Sequence, residues 1–132
     1  MELVPEIENM QAEFASWRRD IHAHPELGFE ERRTADFVAA KLESFGVQVH
    51  RRIGKTGIVG VLREGNETRS IGLRADMDAL PIHEQNTFAH RSTHQGTMHA
   101  CGHDGHTVML LAAAKYLADT RKFRGQVNFI FQ

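Results

Sequence analysis

The chain predicts an α/β fold with a partly parallel sheet and flanking helices, and three observations carry that expectation. A strand-like stretch at Ser70–Ala75 is followed by an alanine-rich apolar run from Thr107 to Leu117, and then by a second strand-like stretch from Gly125 to Gln132. A strand, a helix and a strand at this spacing form a crossover between parallel strands. Just before the helix lies Met98-His99-Ala100-Cys101-Gly102-His103-Asp104-Gly105-His106, where three histidines, an aspartate and the only cysteine fall within nine residues. Open α/β sheets place their sites at the carboxyl ends of strands. Asp76 and Asp78, past the first strand, and the turn Cys101 to His106 are therefore expected to face one crevice.

With 132 residues, 41% of them apolar and 25% charged, the chain fits one domain or the first part of one. A net charge of −1 gives no reason to expect nucleic acid or an anionic membrane as partner. One cysteine cannot form an internal disulfide, and no apolar run approaches the roughly 18 residues of a membrane span. The acidic amino terminus, Met1 to Glu8, lacks the basic and apolar regions of a signal peptide, so a cytoplasmic location is expected. Repeats, low-complexity tracts and linkers are not seen.

In chain order, Ile7, Met10, Phe14, Trp17 and Ile21 recur in steps of three and four, which predicts one helix from Pro5 to Ile21. His22 to Glu31 reads as a loop, because Pro25 disfavours helix at His24 and Gly28 invites a turn. Its histidines, His22 and His24, are candidate ligands or part of a pocket wall. Thr34 suits an N-cap for a helix carrying Phe37, Val38, Leu42 and Phe45, with Gly46 as its left-handed stop. Val47–His50, Gly57–Leu62 and Ser70–Ala75 read as strands, the last two joined by a hairpin loop over 64–68. Asp76 and Asp78 then end the third strand, where paired carboxylates orient a histidine, help hold a cation or simply solvate a loop. From Ile82 to Thr97 a long polar loop carries His83, His90 and His94, and loops of this length are usually functional or mobile. A helix from about Asp104 to Asp119 and the strand from Gly125 close the chain.

Cys101, His103 and His106 are spaced so that their side chains can approach one small volume. Zinc and similar ions accept thiolate and imidazole, and an open site lowers the pKa of bound water to about 7, giving a hydroxide able to attack an amide or ester. Asp78 could accept the second ring N–H of a ligating histidine and fix its tautomer. Two rivals stand beside this reading. A closed structural zinc site usually needs four ligands in paired motifs, whereas this chain has one cysteine. A cysteine nucleophile at Cys101 with His103 or His106 as base is the other, without the local signature of a cysteine hydrolase.

Three segments in order, His22-Ala23-His24-Pro25-Glu26-Leu27-Gly28, Arg74 to Pro81 and Met98 to Thr107, resemble the aminoacylase/hippurate hydrolase branch of the M20 metallopeptidases, which includes the plant auxin-conjugate hydrolases. The resemblance implies a zinc-peptidase-like catalytic domain, of which residues 1–132 are the amino-terminal part. It implies two divalent ions, zinc or manganese, and cleavage of a small N-acyl amino acid such as hippurate. By motif match Cys101 and His103 are metal ligands, the thiolate bridging, and Asp78 orients a ligand. Asp76 stands where other branches carry a metal-binding histidine, which speaks against a direct ligand role, and His99 and His106 are left supporting roles. In the family a Pro-Ala-Glu-Glu type segment after the strand at Gln126–Gln132 supplies the general-base glutamate and a ligand. Later segments add histidines and an inserted dimerisation domain. The expectation is therefore a chain that is inactive by itself and holds metal weakly or not at all. The alternative is a non-catalytic metal-binding or self-associating module, since a sheet cut short exposes an edge.

Overall fold

The apolar stripe at the start of the chain folds as two helices, α1 (Pro5–Glu8) and α2 (Gln11–Ala23), in a computed structural model that describes residues 4–132. Met1, Glu2 and Leu3, part of the acidic start read above, lie outside the described residues. The expected single helix breaks at Asn9-Met10, where Met10 leaves helical geometry at φ −100° and ψ 6°. Asparagine is a weak helix former, and the stripe survives the break because Ile7 and Met10 still pack on the core. At the other end α2 runs two residues past Ile21, and His24 leaves helical geometry at φ −126° and ψ 59° before Pro25, which disfavours helix at the residue preceding it.

Helix α3 (Arg32–Ser44) begins before Thr34, which corrects the N-cap expectation. The cap comes from elsewhere. The carboxylate of Glu26 accepts the backbone N–H groups of Arg33 and Thr34 at 2.9 and 2.7 Å, and the Thr34 hydroxyl at 2.7 Å. A carboxylate at a helix start also meets the positive end of the helix dipole. Gly46 ends the helix at φ +77°, as its position predicts.

The strands are β1 (Gln48–Ile53), β2 (Gly57–Glu64), β3 (Ser70–Ala75) and β4 (Gly125–Phe131), with α4 (His103–Thr120) between the last two. Their order in the sheet is β1-β2-β4-β3, with β4 parallel to β3 and antiparallel to β2. The crossover β3-α4-β4 is thus present. The hairpin expected across 64–68 is not formed, because β4 inserts between β2 and β3. Val127, Phe129 and Phe131 are buried at alternate positions, so β4 gains most from a central place, whereas Ile71 of β3 is exposed.

Helices α2, α3 and α4 share one core with the sheet, in which Ile21, Val38, Leu42, Leu111 and Phe129 are fully buried. The approach of α3 to β2 is close enough to need a glycine: a Cβ on Gly60 would stand 3.0 Å from Val47 and 3.1 Å from Leu42. Residues 82–97 have no regular helix or strand. Among the described residues no helix is long and apolar enough to cross a membrane.

Candidate metal centre

The sheet's parallel pair runs directly into the site. Gln132 N–H donates to the Ala75 carbonyl at 3.0 Å and Met77 N–H to the Gln132 carbonyl at 2.8 Å, carrying the pairing past the ends of β3 and β4. The segment after β3 is then held on both sides, by Ala79 N–H to the Glu26 carbonyl at 2.8 Å and by reciprocal bonds of 3.0 Å between Leu80 and Met98. Opposite it, α4 is preceded by Gly102 at its N-cap, whose φ of +85° suits glycine. The Thr107 hydroxyl donates to the Asp76 carbonyl at 2.9 Å and pins the first turn of α4 to this segment.

These constraints bring Asp76, His103 and His106 together, one donor atom from each lying within 4.8 Å of the others. His103 Nδ1–H donates to both the carboxylate and the carbonyl of Asp78, each at 2.9 Å. A carbonyl only accepts, so Nδ1 carries a hydrogen and Nε2 is the atom turned towards the Asp76 carboxylate, 3.6 Å away. Asp76 is steadied in turn by Arg74 at 2.7 Å. A carboxylate and two imidazoles, one backed by a second carboxylate, suit a divalent ion of the zinc type.

Of the residues singled out in the sequence, Asp78 and His103 meet directly, and His106 and Asp76 join them. Cys101 is exposed and outside that group of three. His99 lies buried with neither ring nitrogen bonded to a described residue, and burial lowers its pKa to about 4. His24 and His94 bond backbone carbonyls, of Asp20 and Pro25 respectively, away from the cluster. Beside Asp76 and Asp78 opens a cleft of about 370 Å³, also lined by Gly28, Phe29, Thr56 and Gln132. The 82–97 loop contributes none of its lining.

A second polar group adjoins the first turn of α4. Asp104 is fully buried, and its Oδ2 accepts Arg18 Nε at 3.1 Å and His22 Nδ1 at 2.9 Å. His22 Nε2 reaches Glu84 Oε1 at 3.0 Å. Burial disfavours the charged form of Glu84, but hydrogen bonds from His22, the Ser92 N–H and Asn86 outweigh it and lower its pKa from 4.5 to about 2. Sequence reasoning missed this group because its members are scattered along the chain. The one local signal was that Arg18 and His22, four apart, share a helix face.

The sequence pattern of peptidase family M20/M25/M40 matches residues 72–132. The whole chain is 55% identical over 132 residues to hippurate hydrolase of Campylobacter jejuni, covering 34% of that protein. It is 47% identical over 127 residues to an N-acyl-L-amino acid amidohydrolase of Geobacillus stearothermophilus, covering 96% of this chain and 34% of that one. The chain therefore spans about a third of the length of these curated relatives. Among solved structures, the Bacillus subtilis YXEP protein, a dinuclear metal binding peptidase of the M20 family, superposes with a TM-score of 0.89 at 38% identity, over 95% of this chain and 36% of that one.

Proposed function

This chain belongs to peptidase family M20/M25/M40, and from that premise we propose that it is the metal-holding, amino-terminal part of an amidohydrolase acting on N-acyl amino acids of the hippurate type. The observation that carries the reading is the pairing of His103 with Asp78, which leaves Nε2 free beside Asp76 and His106. His103 belongs both to the motif-matched pair with Cys101 and to the assembled group of three. It is therefore the first ligand, with Cys101, Asp76 and His106 as the groups that complete the set and Asp78 as the residue that orients it. When bound, a zinc or manganese ion supplies a Lewis acid that polarises an amide carbonyl and acidifies water.

The chain spans about a third of its relatives' length, and the general base is assigned to the part of the whole protein that residues 1–132 do not span. Residues 1–132 by themselves are then expected to give negligible turnover of hippurate with Zn²⁺ or Mn²⁺. Turnover that Cys101→Ala abolishes would overturn that expectation. The metal centre is tested by isothermal titration of Zn²⁺ and Mn²⁺ into the chain, with His103→Ala losing binding and Cys101→Ser and Asp76→Ala weakening it. Binding unchanged in all three variants sinks the reading.

One observation favours a second reading, a self-associating module without catalysis. Among the described residues β3 pairs only with β4, and Ile71 on it is 55% exposed.

A further inference from the structure

The His22-Ala23-His24-Pro25 stretch takes no part in the metal centre, yet the 82–97 loop is fastened to it. Thr93 donates to the Ala23 carbonyl through both its N–H, at 2.9 Å, and its hydroxyl, at 2.7 Å. His94 Nδ1–H donates to the Pro25 carbonyl at 2.9 Å. Within the loop, the Glu84 carboxylate gathers the chain by accepting Ser92 N–H and Asn86 Nδ2. His22 links this assembly to α4, facing Glu84 with Nε2 at 3.0 Å and Asp104 with Nδ1 at 2.9 Å.

Both contacts are to carboxylate oxygens that already accept other donors. Asp104 Oδ2 takes Arg18 Nε, and Glu84 Oε1 takes Asn86 Nδ2. A ring nitrogen bearing a lone pair would face such an oxygen with repulsion, so both nitrogens carry hydrogen. Charge balance leads to the same state. Arg18 and a charged His22 offset Asp104 and Glu84, whereas a neutral His22 would leave one buried carboxylate uncompensated. The other rings packed against His22 are Phe88 and His90, each at 5.8 Å, and His99 at 6.3 Å.

We propose that His22 is a positioning residue, held as an imidazolium between Asp104 and Glu84, that clasps the 82–97 loop to the first turn of α4 beside His103. The loop and the ligand-bearing turn then hold their relation as one piece. None of the four candidate ligands enters the clasp, so it stands whichever ion or substrate the centre takes.

The test is nuclear magnetic resonance of the ¹⁵N-labelled chain at neutral pH. His22 is expected to show two protonated ring nitrogens, and a single protonated nitrogen overturns the proposal without need of any variant. In Glu84→Gln, His22 should lose one ring hydrogen, and the amides of Ser92 and Thr93 should exchange about tenfold faster, with Leu111 in α4 unchanged. Unchanged loop amides, or equal acceleration at Leu111, overturn it. Zn²⁺ titration of the same samples separates the two readings. A clasp lost with metal binding intact, or the reverse, identifies which of them has failed.

Discussion

At the scale of single residues, two buried titrating groups set how the fold responds to acid. His99 is held at about 4 against an ordinary 6.5, first by burial, so the unfolded chain takes up a proton that the folded chain refuses. Stability therefore falls as pH drops from 6.5 towards 4. Glu84 is lowered from 4.5 to about 2, so its contribution is complete above pH 4.5 and is lost as pH falls through 2. Urea melts at successive pH values should show both windows, with His99→Gln flattening the upper and Glu84→Gln the lower. A midpoint constant from pH 6.5 to 4.5 would remove His99 from this account. Asp78 acts differently, through the ring it steadies. Asp78→Asn should weaken Zn²⁺ binding about 10- to 100-fold with little change in the urea midpoint, and titration calorimetry reads that difference directly.

Among elements, α3 shows how a distant residue replaces a local signal. Glu26 accepts three hydrogen bonds at the helix start, where Glu31 at the N-cap makes no side-chain cap. Glu26→Ala should cost about 1–2 kcal/mol, seen as a lower urea midpoint and faster amide exchange at Arg33 and Thr34. Equal exchange there in both proteins would mean that the first turn is held otherwise. Thr34 looked like the cap because sequence spacing reports only neighbours, while Glu26 arrives through the turn at Pro25 and Gly28. The same limit explains the missing hairpin: turn residues at 64–68 marked a bend, but strand partners are chosen by burial across the sheet. The crossover was legible because helix period and strand pattern are local, and so was the meeting of Asp78 with His103, since crossover geometry puts both at one sheet end. Arg18, Glu84 and Asp104 were not, because nothing in the sequence couples three such distant positions.

For the molecule as a whole, the uneven covering of the sheet decides what it does in solution. Val127, Phe129 and Phe131 are buried under the helices, while Gln126, Asn128 and Ile130 on the other face of β4 stay half-buried. Among the described residues β3 offers an unpaired backbone edge with Ile71 55% exposed, and Met109 on α4 is 69% exposed. An open edge with apolar side chains is a template for another strand, and parallel sheets are normally covered on both faces. The isolated chain is therefore expected to associate as its concentration rises. A charge on the edge opposes such pairing, so Ile71→Lys should shift the chain towards monomer in sedimentation equilibrium, with Met109→Lys as the control for the helix face. If Met109→Lys alone restores the monomer, the contact lies on α4 and β3 is not the joining edge. If neither substitution changes the mass, the self-associating reading loses its one structural support and the metal centre is left as the sole basis for function.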